Sequence, residues 1–332
     1  MSSPVREIRI VLVSWRDADD ALAAIDSLAA ARGRIEPNGP AVSLVVVDNG
    51  GALRRDAVLA AWPDATVLVN ETNRGFGPAA NQGAQAPGGD VLLFLNPDTR
   101  AVGEPFSAIA EAFDSRPEAV AVAPRLVDDN EGGARGPRLA PPDSEDQFTF
   151  QLRRLPRLRD DARELLLLDH VAPNNRGRRR FRYADRNPDS PLEVEQAAGA
   201  ALAVRRNAFR QAGGFDERFA PAWFEDVELC ARLGEHGSIL YWPAARFRHR
   251  GGASSGELGY RRFLPIYYGN ALRYRSQRYG AVARLAYRAL LVGGMTLRLA
   301  ALPFRPHPPR PRKESAAAYV EVIKTALGLA DS

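Results

Sequence analysis

A short unbroken apolar run of the chain leads to an aspartate. Val91–Leu95 consists of five apolar residues and leads directly into Asn96, Pro97 and Asp98. An unbroken run of this length is typical of a strand that is buried on both faces of a parallel sheet. Because proline lacks the N–H that a central strand donates, the chain must leave the sheet at Pro97, which delivers Asp98 to the ligand-binding carboxyl edge. A carboxylate there can hold a divalent cation that neutralises a phosphate, and a simple β-turn is the alternative.

Two other residues stand where a predicted strand ends. Asp48 follows the strand predicted over residues 42–47, where a carboxylate can bind the ribose or base of a nucleotide or can cap the following turn. His249 follows a strand-like stretch and precedes a Gly-Gly loop. Imidazole is a common metal ligand, although a lone histidine is more often structural. Both residues are therefore binding candidates, each with a structural alternative.

The segment 73–81 combines glycines with an arginine. Gly75 and Gly77 allow the backbone to approach a ligand closely, and Pro78 suits the first turn of a helix, whose N-terminus favours anions. Arg74 can form a bidentate pair with a phosphate. The glycine spacing does not match the fingerprint of dinucleotide-binding proteins. The segment therefore indicates anion binding without specifying the anion.

Adjacent carboxylates open a predicted helix over residues 224–233. Glu225 and Asp226 follow two aromatic residues, Trp223 and Phe224. Consecutive helix positions point about 100° apart, so the two carboxylates cannot serve one small site equally. A carboxylate beside aromatic surface suits a general base with a tuned pKa. The alternative is a helix N-terminus that favours acidic residues through its dipole.

The hydrophobic pattern predicts the strands and helices that position these residues. Strands and helices alternate in the first part of the chain, with strands predicted over 8–14, 42–47, 67–69, 91–95 and 120–123 and helices over 18–31, 77–86 and 106–115. This alternation predicts βαβ units and a parallel sheet.

The regular pattern is lost over residues 128–191, apart from a short helix near 165–168. That stretch is predicted to be an insertion or flexible lid. Order returns at Leu192, with strands predicted over 199–204 and 238–242 and helices over 207–212 and 224–233. The predicted catalytic domain therefore covers residues 1–258.

The composition limits the class of protein. The chain has 332 residues, of which 45% are hydrophobic and 26% charged, as in one large or two ordinary globular domains. Cys230 is the only cysteine, so neither an internal disulfide nor a thiolate cluster can form, and a reducing cytoplasm is favoured. The polar N-terminus predicts no signal peptide, and no uninterrupted apolar run reaches the roughly 18 residues of a membrane-spanning helix.

The C-terminal region is strongly basic. Between Tyr260 and Lys313 there are twelve basic residues and no acidic one, while the whole chain has a net charge of +5, so the rest is net acidic. We predict a helical region over 259–332, with a helix over 285–302 interrupted at Gly293-Gly294. An anionic membrane surface is one partner for this region, and packing on the catalytic domain is the alternative. No nucleic-acid module is visible, so nucleic acid is not expected as a partner.

Taken in order, these segments resemble the family 2 inverting glycosyltransferases of the GT-A fold, and most closely their rhamnosyltransferase-like branch. The resemblance covers about residues 6–280. It is carried by short motifs, namely Val-Val-Asp48-Asn49, Asn73-Arg74-Gly75-Phe76-Gly77 with Asn81, Leu-Asn96-Pro97-Asp98, Gly213-Gly214-Phe215-Asp216, Phe224-Glu225-Asp226-Val227-Glu228-Leu229 and His249 before Gly-Gly. It implies an α/β fold with a mostly parallel central sheet flanked by helices.

The resemblance also implies a role for each motif. Asp226 is implied as the catalytic base, with Glu225 beside it holding the acceptor or the base. Asp98 and His249 are implied as ligands of a divalent cation, Mg2+ or Mn2+. The nucleotide-sugar donor is implied to meet a larger set of residues, namely Asp48, Asn49, Arg74, Gly75, Gly77, Asn81 and Asn96.

The resemblance further implies an acceptor that is a glycan or a lipid-linked precursor of cell wall or polysaccharide. Such a protein would be cytoplasmic or peripheral on the inner face of the plasma membrane. The oligomeric state is not predicted. We favour dTDP-rhamnose as the donor, with UDP-galactofuranose, UDP-hexoses and GDP-sugars left open.

The sequence departs from the family pattern in two places. The metal motif Asn-Pro-Asp98 has a single carboxylate, which implies a weakly held cation that arrives with the donor. The stretch from Glu195 to Gly199 lacks the aromatic residue expected before the glycine. Two other functions remain as alternatives, a sugar nucleotidyltransferase that releases pyrophosphate and a non-catalytic polyanion- or lipid-binding protein on a transferase scaffold.

Overall fold

The computed structural model describes residues 4–16, 18–128, 147–251, 259–305 and 310–329. The chain divides into two compact units. The first unit comprises Met1–Leu155 with Arg186–Gly251, and the second comprises Pro156–Asp185 with Gly252–Ser332. This division differs from the predicted one at residue 258, because residues 156–185 join the C-terminal helices instead of forming part of one continuous insertion over 128–191.

The described residues contain eleven strands, β1 (Glu7–Ser14), β2 (Ala41–Asn49), β3 (Thr66–Asn70), β4 (Val91–Leu95), β5 (Thr99–Ala101), β6 (Ala119–Asp128), β7 (Leu152–Arg153), β8 (Leu192–Val194), β9 (Gln196–Ala197), β10 (Ala201–Arg205) and β11 (Ser238–His249). Twelve helices complete that part of the chain, α1 (Ala18–Arg32), α2 (Arg55–Ala61), α3 (Phe76–Ala84), α4 (Pro105–Ser115), α5 (Phe148–Gln151), α6 (Leu158–Leu165), α7 (Leu168–Val171), α8 (Arg176–Phe181), α9 (Arg206–Gln211), α10 (Glu225–Leu233), α11 (Tyr260–Ala301) and α12 (Arg312–Leu327). Short 3-10 turns span Glu217–Phe219 and Leu302–Phe304.

The first unit is built on one nine-stranded sheet. Its strand order is β3-β2-β1-β4-β10-β6-β11-β5, with β8 paired to β11. Strands β3, β2, β1 and β4 run parallel to one another, and β6 is parallel to β11. Strand β10 is inserted antiparallel between β4 and β6. A separate two-stranded sheet pairs β7 with β9. The predicted α/β fold with a mostly parallel sheet and flanking helices is confirmed.

The central strand β4 shows why the sequence folds in this way. All five of its residues are buried, as the unbroken apolar run predicted. One face of the sheet packs against α1 and α4 through side chains such as Ile25 and Phe106. On the other face, the small-residue helix α3 lies very close to the sheet, since a Cβ added at Gly83 would be 2.5 Å from Val11 Cγ1. Continuous burial on both faces is typical of parallel strands.

The predicted elements of the first unit agree with the observed ones to within a few residues at most ends. The exceptions are β6 and β11, which extend well beyond the predicted 120–123 and 238–242. The helix predicted near 165–168 is replaced by α6 and α7, which lie on either side of Leu166 and Leu167. Leu167 adopts a left-handed conformation with φ 62°, which ends the first helix before the second begins.

The second unit consists of α6, α7, α8, α11 and α12. A buried ion pair joins two of these helices, since Arg275 Nε donates to Asp161 Oδ2 over 2.7 Å. The Arg275 guanidinium also lies over the ring of Tyr287 at 4.0 Å. This pair explains why residues 156–185 belong with the C-terminal helices, because an unpaired buried arginine would be strongly destabilising.

The predicted break at Gly293-Gly294 is wrong. Helix α11 runs through both glycines and is interrupted instead at Gly280, which has φ 78° and ψ −170°. Gly294 serves a different purpose, because a Cβ added there would lie 2.7 Å from the Leu165 carbonyl oxygen. The glycine therefore allows α11 to pack directly on the end of α6.

One helical stretch in the described residues, Tyr260–Phe304, is long and apolar enough to cross a membrane by length and composition. Its most apolar window has a mean hydropathy of 1.4 and is 33% buried. The core helix of a soluble protein passes the same test, so this is weak support for a membrane span. The sequence prediction of no spanning helix relied on uninterrupted apolar runs, which arginines break here.

Candidate functional site

The carboxyl ends of the parallel strands gather the predicted site residues at one edge of the sheet. Asp48 of β2 pairs in register with Ser14 of β1, and Asn49 pairs with Asn70 of β3. Strand β4 ends beside them at Leu95, directly before Asn96. This is the edge at which open α/β sheets bind ligands.

Asp48 caps the turn that follows its strand. Its two carboxylate oxygens accept hydrogen bonds from the N–H groups of Ala52 at 3.1 Å and Leu53 at 2.9 Å. The side chain is buried. These contacts fit the structural alternative considered for this residue, and a contact between Asp48 and a nucleotide remains a prediction.

Asn49 holds the glycine-containing loop against the sheet. Its Nδ2 donates to Asn73 Oδ1 at 2.8 Å and to the Gly75 carbonyl at 3.2 Å. Its Oδ1 accepts from Asn70 Nδ2 at 3.0 Å and from the Arg74 N–H at 3.1 Å. Since each polar atom of this buried amide already has two partners, Asn49 positions the loop, and its predicted contact with the donor is untested.

The loop itself presents Arg74 to solvent. The Arg74 side chain is exposed, whereas Gly75 is buried with φ 91°. A Cβ on Gly75 would lie 3.0 Å from both Ala220 Cβ and the Pro221 carbonyl oxygen, and one on Gly77 would touch Phe215 Cβ at 3.4 Å. The glycines therefore permit close packing within the protein. The Arg74 side chain is therefore accessible to solvent, and its pairing with an anion stays a prediction.

Asn81 joins helix α3 to a distant turn. Its Nδ2 donates to the Phe215 carbonyl at 2.9 Å, and its Oδ1 accepts from the Phe215 N–H at 2.8 Å. A Cβ added at Gly214 would lie only 2.7 Å from Asn81 Oδ1. The amide thus fixes the Gly213–Asp216 turn, while its predicted role at the donor stays a prediction.

Asp98 and His249 come together from opposite parts of the chain. Asp98 Oδ1 lies 3.5 Å from His249 Nε2, and Asp98 Oδ2 accepts from the Gly251 N–H at 3.1 Å. Both side chains are buried, with exposures of 7% and 5%. Burial would raise the pKa of the Asp98 carboxyl, but His249 and Arg250 hold that pKa below its ordinary value. The carboxylate is therefore ionised at neutral pH.

Gln147 determines which ring nitrogen of His249 faces Asp98. Its Nε2 donates to the His249 carbonyl at 2.6 Å and to Asp128 Oδ1 at 2.8 Å, so its Oε1 must face His249 Nδ1, at 2.8 Å. An amide oxygen only accepts, so Nδ1 carries a proton and Nε2 is the ring nitrogen that faces Asp98. Metal-binding histidines are commonly oriented through their second nitrogen in this way.

These two residues fit a divalent cation that has other ligands as well. Asp98 Oδ1 and His249 Nε2 face one another over 3.5 Å, which is longer than an ordinary hydrogen bond. No group of three or more His, Cys, Asp or Glu ligands occurs among the described residues. Two protein ligands leave most coordination positions to water and to phosphate oxygens, as is usual for Mg2+.

The predicted base Asp226 begins helix α10. Its Oδ2 accepts from the Gly199 N–H at 3.0 Å, and its Oδ1 accepts from the Val227 N–H at 2.8 Å. Glu225 is 9% exposed, and its Oε2 has no hydrogen-bond partner among the described residues. The two carboxylates therefore differ, because Asp226 is held by two donors and Glu225 is not.

Burial raises the pKa of both carboxyls. For Glu225 the second cause is the adjacent Asp226 charge, and the pKa lies well above its ordinary value. For Asp226 the Gly199 and Val227 N–H groups and the Arg153 charge oppose the rise. Since hydrogen bonds to the charged form favour ionisation, Asp226 ionises before Glu225 as the pH rises. Between the two ionisations, one carboxylate lies beside one carboxylic acid.

Two consecutive residues connect the Asp98 segment to Asp226. The Asn96 N–H donates to the Ala200 carbonyl at 3.0 Å, and the Gly199 N–H donates to Asp226. Asp98 lies two residues after Asn96. The two acidic residues on which the sequence hypothesis depends therefore approach the same edge of the sheet through the start of β10.

The sequence reasoning missed two residues of this region, Gln147 and Arg153. Gln147 lies within residues 128–191, which are predicted to be an insertion or flexible lid, and nothing in the neighbouring sequence indicates a partner 102 positions away. Arg153 is one of many arginines in the chain. Only the pairing of β7 with β9 places it near α10.

Comparison with known proteins identifies the class. The family model described as glycosyl transferase family 2 matches residues 10–185. The chain therefore belongs to glycosyl transferase family 2, and the resemblance seen in its motifs is confirmed. The matched segment ends before Asp226 and His249, so the family match does not itself assign those residues.

Two curated relatives come from Mycobacterium tuberculosis. An N-acetylglucosaminyl-diphospho-decaprenol L-rhamnosyltransferase is 29% identical over 228 residues, which cover 65% of this chain and 68% of the relative. A pre-mycofactocin glycosyltransferase is 30% identical over 210 residues, which cover 62% of this chain and 37% of the relative. These relatives support a glycosyltransferase and favour it over the nucleotidyltransferase and non-catalytic alternatives.

Solved structures show the same fold. The mannosyltransferase PcManGT from Pyrobaculum calidifontis, in complex with GDP-Man and Mn2+, has a TM-score of 0.53 and 13% identity over 99% of this chain and 88% of its own. GalNAc-T7 with UDP, GalNAc and Mn2+ has a TM-score of 0.54 and 14% identity over 99% of this chain and 57% of its own. The chain is thus a glycosyltransferase with a GT-A-type fold, and both similar structures contain Mn2+.

Proposed function

We propose that this protein transfers rhamnose from dTDP-rhamnose to a hydroxyl of a lipid-linked glycan acceptor, with inversion at the anomeric carbon. The observation that carries the proposal is the convergence of Asp98 and Asp226 on one sheet edge through Asn96, Ala200 and Gly199. The proposed donor sugar and acceptor class follow those of the rhamnosyltransferase relative, whose name specifies rhamnose and a diphospho-decaprenol acceptor.

Asp226 is the residue best suited to accept the acceptor proton. Its two backbone hydrogen bonds keep the carboxylate ionised and fix its orientation, while one lone pair of each oxygen remains for the incoming hydroxyl. The attacking oxygen then forms a bond to the anomeric carbon as the bond to the nucleotide diphosphate breaks. A positioned general base of this kind contributes about 10²–10⁴-fold to a rate.

Asp98 and His249 would hold the divalent cation of the donor complex. The cation supplies neutralisation of the charge that develops on the departing diphosphate. His249 contributes its Nε2 lone pair because Gln147 occupies Nδ1. Arg74, exposed on the loop held by Asn49, is placed to meet an anionic part of the donor.

Glu225 is suited to a different task from Asp226. A buried carboxylic acid that keeps its proton donates a hydrogen bond, so Glu225 can hold an acceptor oxygen next to the base. This role agrees with the family resemblance, which implies that Glu225 holds either the acceptor or the base. The neutral form also avoids a second negative charge beside Asp226.

The second unit is suited to a peripheral position on the inner face of the plasma membrane. After Gly280, the exposed side of α11 is almost entirely uncharged, comprising Ala281, Val282, Leu285, Ala289, Gly293, Thr296, Leu297 and Ala300 with Arg284 among them. Val282 and Leu285 are 84% and 68% exposed. An apolar helix side within a region rich in arginine favours anionic lipid, where a lipid-linked acceptor resides.

The proposed reaction is tested by product analysis with the full chain. Purified protein, Mn2+ and dTDP-rhamnose are incubated with an N-acetylglucosaminyl-diphospholipid of short chain length. We expect release of dTDP and a new disaccharide lipid whose anomeric configuration, read by NMR coupling constants, is opposite to that of the donor. Transfer from a UDP- or GDP-sugar alone would replace the donor assignment, and retention of configuration would refute the single-displacement mechanism.

A further inference from the structure

Two residues that act on the Asp226 carboxyl each have a buried polar atom without a partner in the part of the chain that the structure describes. Among the described residues, Arg153 Nε and Glu225 Oε2 are both buried and have no hydrogen-bond partner. Buried polar atoms in native proteins are nearly always satisfied, so two such atoms in one region indicate a place that a ligand completes. Glu225 adjoins Asp226 in the sequence, and Arg153 acts on the Asp226 carboxyl electrostatically.

Backbone contacts of β9 and of the two residues that follow it connect the Arg153 strand to Asp226. Arg153 of β7 lies opposite Gln196 of β9 in the antiparallel pair. The Ala198 N–H donates to the Gln151 carbonyl at 2.9 Å, and the next residue, Gly199, donates to Asp226. Strand β9 and the residues after it therefore have β7 on one side and the start of α10 on the other.

The Arg153 guanidinium is oriented but not neutralised by the described residues. It lies over the Phe150 ring, with 5.5 Å between Cζ and the ring centroid. The adjacent Arg154, in contrast, is paired with Glu195 at 2.7 Å. A guanidinium that lies on an aromatic face and forms no ion pair with the described residues can bind a planar or tetrahedral anion bidentately.

The position beside the base determines which substrate this cation meets. In a displacement with inversion, the attacking oxygen and the leaving diphosphate lie on opposite sides of the anomeric carbon. The base must be on the attacking side, where the acceptor binds. A cation next to Asp226 is therefore on the acceptor side, whereas Asp98 and His249 serve the leaving group.

We propose that Arg153 is the anion-binding residue of the acceptor subsite and receives a phosphate oxygen of a glycosyl phosphate or diphosphate acceptor. This inference rests on the proposed function, because it takes Asp226 as the base. It adds a specificity-determining residue, since an acceptor without phosphate would leave the guanidinium unpaired. It also explains how one short strand can link acceptor binding to the base.

Steady-state kinetics of Arg153→Gln test the proposal. Two acceptors are compared with dTDP-rhamnose as donor, the short-chain N-acetylglucosaminyl-diphospholipid and the matching alkyl N-acetylglucosaminide, which lacks phosphate. We expect the KM for the diphospholipid to rise about 10- to 100-fold, because a charge-assisted hydrogen bond to phosphate is lost. We expect the KM for dTDP-rhamnose to change little. Because the Arg153 charge also lowers the pKa of Asp226, both acceptors are compared at a pH on the plateau of the rate profile. There we expect the KM for the diphospholipid to rise by a much larger factor than the KM for the alkyl glycoside.

Arg154→Gln is the matched control, because it removes the neighbouring guanidinium that is already paired with Glu195. It should leave the KM for the diphospholipid near that of the unchanged protein. Arg153→Lys should restore part of the affinity, since a lysine keeps the charge without the bidentate geometry. Equal loss of affinity in both glutamine variants would overturn the proposal.

Two other outcomes would also contradict it. A rise in the KM for dTDP-rhamnose would assign Arg153 to the donor diphosphate, and equal loss on both acceptors would reduce it to a residue that positions Asp226. If the unchanged protein transfers no sugar, the proposed function fails separately. Calorimetric titration with N-acetylglucosamine 1-phosphate then still tests the subsite, because we expect binding to the unchanged protein and at least about 10-fold weaker binding to Arg153→Gln.

Discussion

The Gly199 N–H and Asp226 Oδ2 are joined by a hydrogen bond of 3.0 Å across 27 positions of the chain. A Cβ added at Gly199 would lie 3.3 Å from Asp226 Cβ, so the glycine also allows this close approach. The carbonyl of the following residue, Ala200, binds the Asn96 N–H. The predicted base Asp226 and the predicted metal-binding segment that begins at Asn96 are therefore positioned by two consecutive residues, Gly199 and Ala200.

Asp226→Asn should abolish transfer without unfolding the protein. The amide is nearly isosteric and cannot accept the acceptor proton, so we expect kcat to fall about 10²–10⁴-fold. The affinity for dTDP-rhamnose with Mn2+, measured by calorimetry, should change little because we propose that the cation of the donor complex binds at Asp98 and His249. The control is Asp56→Asn, at an exposed position where the carboxylate forms an ion pair with Arg54. Full activity in Asp226→Asn would remove the assigned base.

Glu225→Gln should retain most activity at pH 7. Burial raises the pKa of the Glu225 carboxyl well above 4.5, which favours the protonated form, and glutamine resembles that form in size and keeps a hydrogen-bond donor. Glu225→Leu removes the donor and should lower kcat/KM by at least about tenfold. Comparable losses in the two variants, measured on the same acceptor, would show that an ionised Glu225 is required.

The pH dependence of kcat/KM should reveal the raised pKa of the Asp226 carboxyl. Burial raises the pKa of Asp226 above 3.8, so protonation removes the base at a higher pH than for an ordinary aspartate. We expect kcat/KM to rise with pH through an acidic limb and to reach its plateau once Asp226 is ionised. The profile is recorded with constant Mn2+. A rate that is flat down to pH 4 would contradict the raised pKa.

Gln147→Leu should weaken the cation site although it removes no ligand. Without Gln147 the His249 ring loses the acceptor that fixes its proton on Nδ1. Loss of such an orienting partner typically costs about 10–100-fold in metal affinity. The apparent Mn2+ constant for transfer is the measurement, and Gln85→Leu, at an exposed position of the first unit, is the control. Unchanged Mn2+ dependence in both variants would separate Gln147 from the site.

Charge on the apolar side of α11 should release the protein from membranes. Val282→Asp with Leu285→Asp places two anions on a side that we propose faces anionic lipid. We expect co-sedimentation with phosphatidylglycerol vesicles to be lost while folding, followed by circular dichroism, is kept. The control is Val69→Asp in the first unit, where the valine is 57% exposed. Retained binding in the double variant would place the membrane contact elsewhere.

The sheet could be predicted from the sequence because its signals are local. The apolar run of β4 and the alternation of strands with helices are readable within a few residues, and both were confirmed. The family could also be predicted, because its motifs are short and occur in a fixed order. The antiparallel insertion of β10 could not be predicted, since its pairing with β4 joins residues more than a hundred positions apart.

The side-chain partners within the site were beyond local patterns for the same reason. Asn81 stands in a motif that predicts donor binding, yet its amide holds Phe215, 134 positions away. For Asp48 the sequence allows either a nucleotide contact or a turn cap, and its observed contacts fit the turn cap. The break in α11 was placed at a Gly-Gly pair, whereas Gly294 is needed for packing on Leu165 and Gly280 alone leaves the helical conformation.

The antiparallel strand β10 has a consequence for how this chain is made. Until residue 205 has left the ribosome, one backbone edge of β4 has no partner in the native sheet, and β6 waits still longer for β11. An apolar strand with an open edge is a template for pairing with other chains. Nascent protein should therefore pass through an aggregation-sensitive period that ends only after about three quarters of it has been synthesised. Slowing translation before β10 should lower the soluble yield, whereas slowing it after β11 should not.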